Sequence, residues 1–166
     1  MYKRQDIINK FEEIPIIEMT ELEGNKFMPV DESYNDKSHR YESKGKIHGN
    51  IYPGRFFDQI FDMVGFALPK GREFGNVNYV QIIKYNEGSH FPWHMDIADD
   101  NDSGTAILML NDNFVGGELN VGGHRFTTKQ GTVIGFNNST RVLHCVEPLW
   151  KGNRYCLAIW FGLADN

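Results

Sequence analysis

Cysteine, positive charge and long apolar runs are all scarce in this sequence of 166 residues. The 2 cysteines, Cys145 and Cys156, lie in apolar, strand-like segments, which indicates reduced core thiols and not a disulfide framework. With 17 basic residues against 22 acidic ones, the net charge is −5, so the chain lacks the basic field that holds a nucleic-acid backbone. We therefore expect a reducing compartment and no nucleic-acid partner.

The apolar residues are distributed in short segments. None is long enough to span a membrane, and charged residues interrupt Met1–Lys10 before a signal peptide could form. This distribution predicts a cytoplasmic protein with no membrane partner. The chain has the size of one ordinary domain, so we predict a single domain over 1–166, with N-terminal helical support over about 1–76 and a strand-rich core over about 77–163.

Helical signals are confined to the N-terminal part. A short helix is predicted around residues 6–13. From Phe57 to Leu68 apolar residues recur at helical spacing, and Pro69 ends this second predicted helix. Residues 20–50 are polar and interrupted by glycine, which predicts loops or short edge strands.

From Val77 onward, short apolar segments are separated by Gly, Asn, Asp and Pro. Gly122-Gly123, between two such segments, is a strong signal for a two-residue hairpin turn. Many short strands preceded by helical segments predict a mainly β (α+β) fold, a double-sheet jelly roll with N-terminal supporting helices. The predicted strands are 77–85, 105–110, 117–121, 124–128, 132–136, 141–146 and 154–162.

The strongest functional signal is the pair His94 and Asp96 together with His144, much later in the chain. Residues two apart on a strand project from the same face, so the pair can bind one ion while a neighbouring strand supplies the third ligand. Two imidazoles and one carboxylate on one side of a metal leave the opposite positions open, as in non-haem Fe(II) sites that use oxygen. One isolated histidine is more often a hydrogen-bonded strand residue, but the joint pattern favours a metal site.

The segments around these ligands carry further detail. The segment from Tyr85 to Asp96 has a strand-like run, then a glycine turn, and then the ligand pair His94 and Asp96. Arg154 lies ten positions after His144, at the start of another apolar run. Over roughly residues 77–163 the sequence resembles the 2-oxoglutarate- and Fe(II)-dependent dioxygenases, and within them the prolyl 4-hydroxylase-like family. The resemblance implies the double-stranded β-helix fold, another name for this jelly roll.

The resemblance also implies roles for individual residues. His94, Asp96 and His144 would be the catalytic metal ligands, holding Fe(II). The family places a basic residue ten positions after the last ligand to bind the distal carboxylate of 2-oxoglutarate, and here that position matches Arg154. A planar guanidinium suits a bidentate pair with a carboxylate, although an arginine that begins a strand is often only a surface residue.

Three more residues match family positions around the co-substrate: Tyr85, Thr105 and Trp160. A tyrosine in a strand is more often packed in the core with its tip hydrogen-bonded, and Trp160 could equally be a plain core residue. The glycine pair Gly116-Gly117 matches a segment that supports the barrel beside the iron. Because paired glycines allow a tight bend, we interpret this pair as architecture.

The implied reaction couples the conversion of 2-oxoglutarate to succinate and CO2 with the hydroxylation of a C–H bond by O2. Fe(II) is the implied metal, and ascorbate is a candidate accessory reductant. The implied enzyme is a prolyl hydroxylase similar to the procollagen-proline dioxygenases, acting on a peptide or protein. Arginine at position 154 is more usual in oxygen-sensing and bacterial relatives than in the collagen-modifying branch, which tends to have lysine.

The sequence leaves the substrate open. Asp99, Asp100 and Asp102 follow the first ligand pair and would favour a basic peptide, although a solvated acidic turn explains them equally well. Alternatives are a hydroxylase of a free amino acid or small metabolite and a non-catalytic, metal-holding jelly-roll module. A cupin-type enzyme ranks third because cupins usually have more histidines and a glutamate. The sequence does not specify an oligomeric state.

Overall fold

The computed structural model describes residues 20–22, 25–29, 38–43, 74–96, 103–127, 129–138 and 141–163. Both predicted helices, around 6–13 and over Phe57–Leu68, and the acidic residues Asp99, Asp100 and Asp102 lie outside these ranges. Within the described ranges, no helix is long and apolar enough to cross a bilayer.

Strands account for most of the described residues. The N-terminal ones are β1 (Thr20–Leu22), β2 (Asn25–Pro29), β3 (Ser38–Ser43), β4 (Phe74–Tyr85), β5 (Phe91–His94) and β6 (Ser103–Met109). The C-terminal ones are β7 (Val115–Gly116), β8 (Leu119–Val121), β9 (His124–Phe126), β10 (Val133–Asn137), β11 (His144–Val146), β12 (Leu149–Lys151) and β13 (Arg154–Leu163).

These strands form two main sheets. The major sheet has seven strands in the order β1-β2-β3-β4-β13-β6-β10, and the minor sheet has four in the order β5-β11-β8-β9. A two-stranded ribbon, β7 with β12, accompanies them. Consecutive strands often lie in different sheets, so the chain crosses repeatedly between the two layers. This is the predicted jelly roll, mainly β and double-sheeted.

The predicted strands from Val77 onward are all present, with ends shifted by three residues or fewer. Gly122 and Gly123 form the predicted hairpin turn between β8 and β9, with φ of +57° and +83°. In the polar segment, β1 is an edge strand, whereas β3 lies between β2 and β4. The list of strands predicted from the sequence lacks β5, β7 and β12, which have four, two and three residues.

The core lies between the two main sheets. Ile107 and Met109 of the major sheet share one buried apolar cluster with Leu119 and Val121 of the minor sheet. Alternation along β6 places Ala106 and Leu108 on its other face, and both are also buried. The residues that point into the space between the sheets include the candidate functional side chains. Both cysteines are free, buried thiols, as predicted.

Candidate metal and co-substrate site

The two histidines lie opposite each other on neighbouring strands. β5 pairs with β11 in antiparallel register, so His94 faces His144, and Asp96 follows β5 by two residues. Asp96 Oδ1 lies 3.6 Å from His94 Nε2 and 3.5 Å from His144 Nε2. All three potential ligand atoms lie within 4.8 Å of one another. These three residues are called the candidate triad below, and the neighbouring strand supplies the third member, as the sequence predicted.

Each histidine is oriented by a backbone carbonyl. His94 Nδ1 lies 2.8 Å from the carbonyl oxygen of Pro92, and His144 Nδ1 lies 3.1 Å from that of Val142. A carbonyl oxygen can only accept, so both Nδ1 atoms carry the proton and donate it. Both Nε2 atoms therefore face Asp96, and their lone pairs are available to a metal ion.

Strand geometry alone does not position Asp96, because β5 ends at His94. Two hydrogen bonds hold its other carboxylate oxygen: Thr105 Oγ1 donates to Oδ2 over 2.5 Å, and Trp160 Nε1 donates to it over 2.9 Å. Asn138 Nδ2 lies 3.0 Å from Thr105 Oγ1. The sequence placed Thr105 and Trp160 in the site without predicting this contact, and it gave no signal for Asn138.

The surroundings of Asp96 favour its charged form. Burial alone would raise the pKa of this carboxyl. Side-chain hydrogen bonds with His144, Thr105 and Trp160, together with the electrostatic interaction with His144, outweigh burial and hold the pKa below its ordinary value. The carboxylate is therefore ionised at neutral pH, which is the state that binds a cation.

Arg154, the first residue of β13, has no exposed surface. Its guanidinium contacts Cys156 Sγ at 3.3 Å and Met109 Sδ at 3.5 Å and lies 5.0 Å from the centre of the Tyr85 ring. Its Nε has no hydrogen-bond partner, and no carboxylate of the described residues forms an ion pair with it. Sulfur atoms are weak acceptors, so this buried cation has only weak partners among the described side chains.

One cavity joins the candidate histidines to this arginine. It is lined by His94, His144, Thr105, Trp160, Tyr85 and Arg154 among apolar side chains. The space inside it, including the part open to solvent at the mouth, is about 390 Å³. The cavity thus brings the two histidines of the candidate triad together with the predicted co-substrate residues.

The donor atoms suit a first-row divalent metal. Atoms bound about 2.1 Å from one ion are about 3.0–3.4 Å apart, so the observed separations of 3.5 and 3.6 Å need only a small contraction. Two imidazoles and a carboxylate match the non-haem Fe(II) donor set. The unpartnered Nε of Arg154 fits a carboxylate in the same cavity. The residues present therefore fit both a metal ion and a dicarboxylate co-substrate.

A family model described as "2OG-Fe(II) oxygenase superfamily" matches residues 80–162, half of the chain. The chain belongs to this superfamily. The match contains every member of the candidate triad and Arg154. As a 2OG-Fe(II) oxygenase, the protein uses Fe(II), 2-oxoglutarate and O2. A comparison with curated proteins gives no match.

Several solved structures share the fold. A prolyl-4-hydroxylase from Pseudomonas putida has a TM-score of 0.57 at 20% identity, covering 82% of this chain and 77% of that one. A prolyl hydroxylase from Trichoplax adhaerens, solved with a hypoxia inducible factor peptide, has a TM-score of 0.62 at 17% identity, covering 95% and 75%. HygX from Streptomyces hygroscopicus, with nickel and 2-oxoglutarate bound, has a TM-score of 0.57 at 11% identity, covering 96% and 77%. At these identities the likeness establishes the jelly-roll fold.

Proposed function

We propose that this oxygenase hydroxylates a prolyl residue in a peptide or protein, with His94, Asp96 and His144 as its Fe(II) ligands. Arg154 binds the distal carboxylate of 2-oxoglutarate. The observation that carries the proposal is the guanidinium of Arg154, which is fully buried in the cavity that the triad histidines line and has no anionic partner among the described residues. A metal-holding binding module would have no use for such a cation, whereas a dicarboxylate co-substrate neutralises it.

The residues of the chain supply position and exclude water. When bound, Fe(II) supplies the oxygen chemistry that couples decarboxylation of 2-oxoglutarate to C–H hydroxylation. The two Nε2 atoms and Oδ1 of Asp96 would hold the ion, and three protein ligands would leave coordination positions for reactants. Arg154 orients the co-substrate by a charge-assisted pair, which is stronger in an apolar cavity than in water. Apolar walls that include Phe91 and Leu119 exclude bulk water from the reaction.

Tyr85 has two possible contributions to the co-substrate site. The family pattern assigns its hydroxyl to binding 2-oxoglutarate, and its ring lies 5.0 Å from the Arg154 guanidinium, within the range of a cation–π contact. Tyr85 is buried and lines the cavity. We propose that the ring orients the guanidinium and the hydroxyl contacts the co-substrate.

The prolyl substrate is supported by the resemblance of the sequence and by the printed activities of two structures with the same fold. The Pseudomonas putida protein is a prolyl-4-hydroxylase, and the Trichoplax adhaerens protein is a prolyl hydroxylase solved with a peptide. Arginine at position 154 favours a bacterial or oxygen-sensing type of prolyl hydroxylase over a collagen-modifying one.

The test combines co-substrate turnover with a substrate screen. The purified protein is incubated with Fe(II), ascorbate and 2-oxoglutarate, succinate is quantified, and a proline-containing peptide library is searched by mass spectrometry for a gain of one oxygen. We expect succinate and an oxidised prolyl residue, both lost in His144→Ala and kept in the exposed-site control His124→Ala. Absence of succinate from the wild type under all conditions contradicts the activity. Succinate with oxygen gained only by small metabolites or free amino acids contradicts the prolyl substrate.

The acidic residues that follow His94 and Asp96 in the sequence provide a separate test of peptide charge. Changing Asp99, Asp100 and Asp102 together to asparagine removes three negative charges, so the KM for a lysine-flanked peptide should rise while that for a neutral peptide stays constant. Steady-state kinetics at low salt measure both, because salt screens such attraction. Asp112→Asn, on the exposed surface, is the matched control. An unchanged KM for the lysine-flanked peptide contradicts a basic substrate.

A further inference from the structure

We infer that Thr105, Trp160 and Asn138 are positioning residues that orient Asp96 for the metal and do not bind 2-oxoglutarate. Thr105 and Trp160 both donate to Asp96 Oδ2, and Asn138 holds the Thr105 hydroxyl in place. The inference rests on the proposed metal site. It assigns these residues a different task from the one that the sequence pattern suggested for Thr105 and Trp160.

Asp96 bridges the two sheets. Its Oδ1 faces the two histidines on strands of the minor sheet. Its Oδ2 accepts hydrogen bonds from Thr105 on β6 and Trp160 on β13, which are paired directly across neighbouring strands of the major sheet. Directly opposed residues share a face of a sheet, so the two donors converge on one oxygen. Two residues of the major sheet therefore fix the orientation of a carboxylate that faces the two histidines of the minor sheet.

A count of protons excludes Thr105 and Trp160 as donors to the co-substrate. A threonine hydroxyl has one proton, and an indole has one N–H. Both are already given to Asp96, which as a carboxylate can only accept. The carboxylate and keto oxygens of 2-oxoglutarate are also acceptors, so neither residue has a hydrogen left to offer them.

The same count assigns a direction to the contact with Asn138, a buried residue directly after β10. Because the Thr105 proton points to Asp96, the amide of Asn138 must be the donor, and Nδ2 lies 3.0 Å from Thr105 Oγ1. The hydroxyl is then held between a donor and an acceptor and cannot rotate. Asn138 acts on the metal ligand through Thr105, two hydrogen bonds away.

The consequence for the metal is coordination through a single carboxylate oxygen. With Oδ2 occupied by two donors, only Oδ1 is directed at the histidines. If the donors are removed, the carboxylate can rotate away from the direction of the two histidines, which weakens the metal site. Loss of such hydrogen bonds around metal ligands typically costs about 10–100-fold in metal affinity.

The experiment measures metal and co-substrate binding separately, with Co(II) as a stable probe. Calorimetry gives the Kd for Co(II) in the apoprotein and the Kd for 2-oxoglutarate at saturating Co(II), and visible absorption reports the coordination of the ion. Thr105→Val removes the donor at nearly constant volume, and Thr105→Ser restores it. Asn138→Asp keeps the shape but replaces the donor with an acceptor. Thr127→Val, on the exposed surface, is the matched control.

We expect Thr105→Val and Asn138→Asp to weaken Co(II) binding about 10–100-fold and to alter the Co(II) spectrum. Thr105→Ser and Thr127→Val should match the wild type, and 2-oxoglutarate affinity at saturating Co(II) should stay constant in all four. If Thr105→Val cannot be purified folded, Trp160→Phe removes the other donor to the same oxygen and carries the same expectation.

Two results overturn the inference. One is an unchanged Co(II) affinity in Thr105→Val and Trp160→Phe. The other is a loss of 2-oxoglutarate affinity in these variants at saturating metal, which would make them co-substrate ligands. Failure of the proposed metal site looks different, because the wild type itself would then bind no Co(II), and the inference would fall with it. Failure of the prolyl substrate alone would leave Co(II) binding and these variant effects unchanged.

Discussion

At the residue scale, Arg154 has the most unusual environment among the described residues. A buried charge without a counter-ion destabilises a folded protein, because the guanidinium loses its hydration and gains only weak contacts. Two sulfur atoms and an aromatic ring compensate in part. Such an arrangement is retained where a ligand supplies the missing anion, and the free protein is then less stable than its sequence could make it.

Arg154→Met should therefore separate stability from binding. Without the buried charge, we expect the free energy of unfolding of the apoprotein to rise by about 1–4 kcal/mol, as when buried charges are replaced by apolar residues of similar volume. The affinity for 2-oxoglutarate should fall about 100-fold, the loss of roughly 3 kcal/mol of charge-assisted hydrogen bonding. Urea unfolding and calorimetry with metal present measure the two effects.

Arg125→Met is the control for this change. Arg125 is exposed and pairs with Glu147 at 2.8 Å and Glu118 at 3.3 Å, so its replacement should leave 2-oxoglutarate affinity constant and lower stability by less than about 1 kcal/mol. A less stable Arg154→Met apoprotein, or one that binds 2-oxoglutarate as tightly as the wild type, would show that Arg154 is a structural residue.

Gly117 lies directly beside the side chain of the same arginine. Its φ is +66°, and an added Cβ would lie 3.1 Å from Arg154 Cδ and 3.0 Å from Leu149 Cδ1. Gly122 has a similar φ of +57°, but its added Cβ would meet only Val142, at 3.5 Å. Comparing alanine variants of Gly117 and Gly122 therefore distinguishes the effect of backbone strain from the effect of displacing Arg154.

We expect Gly117→Ala and Gly122→Ala each to lower the free energy of unfolding by about 1–2 kcal/mol, because alanine is strained at positive φ. Only Gly117→Ala should also weaken 2-oxoglutarate binding, by about tenfold if the displacement of Arg154 costs about 1.4 kcal/mol. Urea unfolding and titration of the metal-loaded protein with 2-oxoglutarate give both values. Equal 2-oxoglutarate affinity in the two variants would mean that Gly117 does not position Arg154.

At the element scale, the start of β13 is anchored by a side chain from the loop after β6. The Oδ1 of buried Asn111 accepts from the Tyr155 backbone N–H at 2.8 Å, and its Nδ2 donates to the Asn153 carbonyl at 2.8 Å. These bonds flank Arg154 on both sides along the chain. The asparagine thus holds the strand end from which the arginine enters the cavity.

Asn111→Ala should remove the hydrogen bond that each of these two backbone groups makes with the Asn111 side chain. At roughly 1–3 kcal/mol for each unsatisfied buried group, we expect a loss of about 2–4 kcal/mol in the free energy of unfolding, measured in urea. Asn111→Asp keeps the acceptor for Tyr155 and should lose less. Asn113→Ala, at an exposed position whose Oδ1 accepts from Asn111, is the control. A loss no larger than in the control would mean that water replaces the Asn111 side chain.

The elements also show what sequence could and could not predict. The strands from Val77 onward and the Gly122-Gly123 turn follow from alternation and turn chemistry, both of which are local. The pairing of His94 with His144 could be anticipated because a third ligand was needed beside the first two. The hydrogen bonds that orient Asp96 could not be anticipated, because Thr105, Trp160 and Asn138 come from distant segments that only the packing of the two sheets brings together.

At the scale of the whole molecule, the candidate metal site links the two sheets. The histidines belong to the minor sheet, and the donors that orient Asp96 belong to the major sheet or follow its β10 strand. An ion held by all three ligands therefore adds a connection across the core. The position of the carboxylate depends on the distance between the layers, so the fold and the site are not independent.

Metal binding should accordingly stabilise the entire domain. At a free Co(II) concentration 100 times the Kd, the free energy of unfolding should rise by about 2.7 kcal/mol, because the ion binds only the folded chain. Thermal unfolding with and without Co(II), and after removal of the metal with a chelator, measures this change. The effect should vanish in Asp96→Ala and persist in Asp112→Ala. Equal stabilisation of Asp96→Ala would place the ion elsewhere.

The most direct test of the central claim is an anaerobic titration of the purified protein with Fe(II) and then 2-oxoglutarate, followed by visible absorption. The claim is that one cavity holds a metal through the candidate triad and a dicarboxylate through Arg154. We expect a metal-to-ligand charge-transfer band in the wild type, absent in His144→Ala and reached only at much higher 2-oxoglutarate in Arg154→Met. A wild-type protein that gives no such band, or an Arg154→Met variant that gives it at the wild-type concentration, would contradict the claim.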